Sequence, residues 1–192
     1  MKSLMKLAVA FSLMVLSCGL CFAQKHSQLP LADPNVLLDN GVYYAYGTHS
    51  ADGIEVWSSK NLKTWKYETL ALDKKDSYGD QNFWAPEVYR IGDIFYMYYS
   101  ANGHTCVATS KSPLVPFVQD VKEPMIDHGC IDNSLFIDDD GTPYMFFVYF
   151  NEGNQVYMAE LEKDYKTVKM ETLHHILHAE LPWELIRGKV TE

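Results

Sequence analysis

The chain has 192 residues, with 16 Lys and Arg against 25 Asp and Glu and a formal net charge of −9. Apolar residues make up 47% of it, enough to build a core and too much for an intrinsically disordered chain. The acidic balance argues against nucleic acid as a partner, because neutralising phosphates takes a basic face. Aromatics are unusually frequent at 14%, with 13 Tyr, 9 Phe and 4 Trp. Such residues favour strands and offer flat faces to apolar ligand surfaces.

Residues 1–23 have the layout of a secretory signal: Lys2 and Lys6, an apolar run from Leu7 to Phe22, and Ala23 before the expected cut. The apolar run is about 16 residues, short of the roughly 20 that a membrane span needs, so a signal is expected rather than an anchor. A variant places the new N-terminus at Cys18, because Val15-Leu16-Ser17-Cys18 loosely resembles a lipoprotein signal, although Leu16 fits that pattern poorly. The expected location is secreted or periplasmic, with a lipid-anchored lipoprotein as the alternative. Residues 24–192 are left for the fold. Cys106 and Cys130 remain with them, too few for a disulfide framework.

Three segments of the remainder share one pattern. Val36 to Tyr46, Val88 to Tyr98 and Leu135 to Phe147 each read as an apolar strand, a turn and an aromatic strand. The turns carry Asn40-Gly41, Gly92-Asp93 and Asp140-Gly141, which are hairpin signals. Third strands are expected at 53–59, 105–110 and 155–160, and fourth strands at 61–67, 113–117 and 164–170. Four strands in a unit of about 50 residues match a β-propeller blade better than a sandwich. His174, His175 and His178 fall in a stretch that could be helical, without the glutamate spacing of a zinc-binding helix. The repeated His104-Thr105-Cys106 and His128-Gly129-Cys130 lack the spacing of known zinc modules and read better as packing positions. No metal or cofactor is assigned.

Blades set their innermost strands around one axis, so residues just before those strands gather at one mouth of the channel. Asp33, Ala85 and Asp132 each lie three residues before Val36, Val88 and Leu135. Asp33 and Asp132 are therefore expected to converge although 99 positions separate them. Glu192 would join them if it opens a fourth blade. Three acids at one mouth suit glycoside cleavage, with a base for water, an acid for the leaving oxygen and a charge that tunes the acid.

At these residues the chain resembles glycoside hydrolase family 43. The matching stretches are Ala32-Asp33-Pro34-Asn35-Val36, Phe83-Trp84-Ala85-Pro86-Glu87-Val88, 107–113 and 131–141, and they are spread over most of residues 30–192. The resemblance implies an all-β, five-bladed propeller, of which about three blades are present here. It implies cleavage of arabinose- or xylose-containing polysaccharides or oligosaccharides with inversion. Asp33 would be the base, Asp132 the tuning carboxylate and Glu192 the acid. Trp84 would offer a stacking face or pack between blades, and Glu87, Asn102 and His104 would contact sugar. Glu87 and Asn133 depart from residues common in the family. The alternatives are a fructan-type hydrolase on a similar propeller and a non-catalytic carbohydrate-binding fragment. The family's five blades lead to the expectation that the chain is cut off near its own catalytic acid.

Overall fold

The structure, a computed structural model, describes residues 29–114, 116–150, 153–181 and 184. The expected signal at 1–23 and Glu192 lie outside the described residues. The described residues form three antiparallel sheets and two short 3₁₀ turns, with no α-helix among them. None of these elements is a helix long and apolar enough to cross a membrane.

The first sheet holds β1 (Ala32–Asp39), β2 (Val42–Thr48), β3 (Gly53–Ser59) and β4 (Lys66–Asp73) in that order. The second holds β5 (Trp84–Ile91), β6 (Ile94–Ala101) and β7 (His104–Ser110), and the third holds β8 (Cys130–Ile137), β9 (Pro143–Phe150), β10 (Asn154–Glu160) and β11 (His174–Leu177). Hairpin turns fix the first pairings. Asn40 and Gly41 take φ of 47° and 76°, the two left-handed residues of a tight turn whose twist suits the flanking strands, and Asp39 pairs with Val42 across it.

The first three strands of each unit fall where the repeat places them; the fourth strands do not. Residues 61–65 form a turn, because the Asn61 carboxamide oxygen accepts from the Lys63 and Thr64 N–H groups at 2.9 and 3.0 Å, so β4 starts only at Lys66. The 113–117 stretch is no strand of its own sheet. Pro113 and Pro116 have no N–H to donate, and the segment crosses to the first sheet. There the Phe117 N–H donates to Ala71 O at 2.8 Å, and the Tyr46 hydroxyl donates to Pro113 O. The isolated bridge between Thr109 and Val118 ties it back. In the third sheet Asp164 caps a turn through the Lys166 and Thr167 N–H groups, so 164–170 is not the outer strand. β11 takes that place and overturns the helical reading of His174–His178: the stretch 174–177 is strand, paired with β10.

The sheets pack face to face in two seams. Tyr46, Ile54, Leu72, Met97, Tyr99 and Phe117 are fully buried between the first and second. Tyr98, Met145, Phe147 and Leu161 fill the second seam. Burying each such side chain is worth about 1.5–3 kcal/mol, so each seam is a core in its own right. The first and second sheets meet most directly through β1 and β5, and the second and third through β6 and β8. Cys106 and Cys130 are both free and buried, Cys106 in the first seam and Cys130 in the second. Some large apolar side chains stay open, among them Leu38 of the first sheet at 57% and Phe150 of the third at 56% exposure.

Candidate active site

The three positions aligned by the repeat share one unusual backbone state. Asp33, Ala85 and Asp132 have φ of 47°, 40° and 55°. At each, the register of the inner hairpin shifts, between Ala32 and Asn35, Trp84 and Glu87, and Ile131 and Ser134. Each is thus a β-bulge with a left-handed residue, a device that bends a strand end and re-aims a side chain. Asp accepts a left-handed conformation more readily than most residues; for Ala85 the cost is unrelieved.

Two glycines let the chain close in around the bulges. A Cβ on Gly47 would sit 2.6 Å from Ala32 O and 2.7 Å from Leu31 Cβ, so only glycine lets β2 lie this near the approach to Asp33. A Cβ on Gly79 would sit 2.7 Å from Ala101 Cβ, which presses the loop before β5 against the turn after β6.

The bulges are stitched across the seams by hydroxyls that the sequence reading did not single out. The Ala85 N–H donates to Thr48 Oγ1 at 2.9 Å, and Thr48 Oγ1 donates to Asp33 Oδ2 at 2.8 Å. One sheet further on, the Asp132 N–H donates to Ser100 Oγ at 3.1 Å. Thr48 and Ser100 hold equivalent positions, opposite Ala32 and Trp84 in the hairpin registers. Both lie twelve residues after Val36 and Val88, a signal that the repeat alignment already contained. Two asparagines add to the stitching. Asn35 Oδ1 accepts from the Val88 N–H at 3.0 Å, and Asn133 Nδ2 donates to Cys106 O at 3.2 Å. Asn133 Oδ1 is the only buried side-chain oxygen or nitrogen without a partner among the described residues.

Asp132 keeps an open side toward solvent, yet desolvation by the surrounding protein pushes its carboxyl above the ordinary Asp value. The negative charge of Asp33 adds to the rise, so the two carboxyls share one electrostatic neighbourhood. Such coupling between carboxylates is the pattern expected of acid–base sites.

The remaining candidates divide. Trp84 is half-buried and lines a cleft of about 260 Å³ with Thr48, His49, Gln81, Asn82 and Phe83, beside the hydroxyl that holds Asp33. Phe83 turns inward and stacks on Tyr99 in the core, at 6.4 Å between ring centres. The Glu87 carboxylate accepts from the Tyr89 hydroxyl, whose pKa is pushed up to about 12 by burial and that carboxylate. Asn102 and His104 lie at the turn between β6 and β7. Asn102 Oδ1 accepts from the Gln81 N–H at 3.2 Å, and His104 Nδ1 lies 3.0 Å from Asn102 O. Both are therefore engaged in holding the loop before β5. Among the described residues no three His, Cys, Asp or Glu side chains are grouped to hold a metal ion.

Comparison with known proteins extends this picture. The profile of glycosyl hydrolases family 43 matches residues 27–192. A β-D-galactofuranosidase of Aspergillus niger is 28% identical, over 83% of this chain and 54% of that protein. An extracellular exo-α-(1→5)-L-arabinofuranosidase of Cellvibrio japonicus is 25% identical, over 78% and 48%. The solved endo-1,4-β-xylanase of Bacteroides thetaiotaomicron is 50% identical, with a TM-score of 0.79 over 82% of this chain and 56% of that one. The chain spans about half the length of the curated relatives it matches.

Proposed function

The chain belongs to glycosyl hydrolases family 43, and on that premise we propose that it carries part of the catalytic centre of an inverting glycosidase acting on arabinose- or xylose-containing saccharides. The observation that carries the reading is the pair of equivalent bulges that present Asp33 and Asp132, with the Asp132 carboxyl raised by burial and by the charge of Asp33. The three sheets correspond to blades of a five-bladed propeller, and the bulges sit at the mouth of its channel.

In this mechanism Asp33 takes a proton from a water molecule, which attacks the anomeric carbon from the face opposite the leaving group. Glu192 gives a proton to the glycosidic oxygen. Asp132 remains charged and keeps that acid protonated until the bond breaks. Inversion requires the base and the acid to stand about 6.5–9.5 Å apart, leaving room for the water. Trp84 offers its ring to a sugar at the cleft beside Thr48, and Glu87, Asn102 and His104 are further candidates to contact the sugar. The arabinofuranosidase and xylanase relatives support a pentose substrate. The signal-like residues 1–23, together with a relative described as extracellular, support secretion or export to the periplasm.

The test is hydrolysis of aryl α-L-arabinofuranosides and aryl β-D-xylosides, followed by proton NMR of the first product formed. The expected product has the anomeric configuration opposite to the substrate's. Retention would overturn the scheme.

A further inference from the structure

We propose that Thr48 is a positioning residue for the base: its hydroxyl fixes the plane of the Asp33 carboxylate and leaves Oδ1 as the oxygen that takes the proton from water. This deepens the reading above and rests on Asp33 being the base. The direction of both hydrogen bonds follows from the groups involved. A backbone N–H can only donate, so the bond from Ala85 must end on a Thr48 lone pair. That leaves the single hydroxyl proton of Thr48 for Asp33 Oδ2. Among the described residues no hydrogen bond occupies Asp33 Oδ1.

A carboxylate on an exposed bulge has little else to hold it. Asp33 is solvent-exposed, and a short side chain so placed samples several rotamers unless something selects one. General-base catalysis needs the basic oxygen within hydrogen-bond reach of the attacking water, and small misplacements are costly. Thr48 can supply that aim because it is itself fixed. Its β-branched side chain has few χ1 choices, its backbone pairs with Ala32 in the β1–β2 register, and its oxygen is anchored on the neighbouring sheet. The base is thereby referenced to two sheets at once. Ser100 occupies the same place one sheet on and accepts from the backbone of Asp132, so it holds a bulge without steering a carboxylate.

The test compares the full chain with Thr48→Val, which keeps the shape and removes the hydroxyl, and with Thr48→Ser, which keeps the hydroxyl. Thr48→Ala repeats the comparison should the valine variant not fold. Two quantities are read: three-bond couplings across χ1 of Asp33 by NMR, and kcat and KM on an aryl pentoside. Expected are a single Asp33 rotamer in wild type and Thr48→Ser, rotamer averaging in Thr48→Val, and a kcat loss of about 10²-fold for the valine variant with KM unchanged. Thr48→Ser is expected within a factor of about three of wild type. A valine variant that keeps one Asp33 rotamer and full kcat would overturn the proposal, as would a serine variant as impaired as valine. If wild type hydrolyses no pentoside, the glycosidase reading fails on its own, and the couplings still decide the role of Thr48.

Discussion

The bulges at Asp33 and Asp132 have nearly the same backbone and quite different surroundings. The Asp33 carboxylate is held by a hydroxyl that crosses from β2, whereas Asp132 is held through its backbone N–H and its carboxyl is left to burial and to its neighbour's charge. The lesson is that the repeat supplies a position, and the groups beside it, a hydroxyl on the adjacent strand or a like charge, decide what chemistry the position can do. A hydrogen-bond donor aims a carboxylate; a partly desolvated carboxyl beside a like charge suits a group that acts at a distance on another proton.

Substitutions can break this contrast, beginning with the largest effect. Asp33→Asn is expected to lower kcat by about 10³-fold on an aryl pentoside, since it removes the proposed base. Asp132→Asn, which removes only the charge proposed to tune the acid, is expected to cost about 10- to 10²-fold and to shift the basic limb of the pH–rate profile downward. Equal losses in the two variants would erase the distinction between them. The third bulge sharpens it further. Ala85→Asn should relieve left-handed strain and stabilise by about 0.5 kcal/mol in chemical denaturation. Ala85→Asp relieves the same strain but brings a third negative charge to the mouth, so it should gain less stability at neutral pH and lose about tenfold in kcat.

The smallest effect is on stability against pH. The Asp132 carboxyl is raised in the folded chain, so between the ordinary Asp value and its folded value the native state holds a proton that the unfolded state has lost. Stability therefore falls as pH rises through that window. Asp132→Asn removes the penalty. It should raise Tm by about 1–2 °C near pH 7, a modest gain because the group is open to solvent, and the gain should vanish by about pH 3. A gain that persists at the lower pH would point to packing instead.

How far the sequence revealed the molecule depends on where the information sits. The paired inner strands were legible because Asn40-Gly41 and Gly92-Asp93 write their turns locally. The equivalence of Asp33 and Asp132 was legible because the repeat keeps it in register. The outer strands were not, since Asn61 and Asp164 spend their side chains on turns, and the segment through Pro113 and Pro116 takes its hydrogen bonds from another sheet. His174–Leu177 carries no periodicity that marks it as strand; it is strand because β10 offers an edge. The bulges themselves were hidden. Nothing in an alanine announces a φ of 40°, and only the shared position with two aspartates could have suggested it.

The two thiols acquire a use from where they lie. Cys106 and Cys130 are fully buried in separate seams, and burial pushes the Cys106 thiol up to about 12, so neither offers a ready thiolate while the sheets stay closed. Each becomes reactive only when its own seam opens. The molecule thus carries two internal clocks, and the rate at which an alkylating reagent captures each sulfur reports how often each pair of sheets parts.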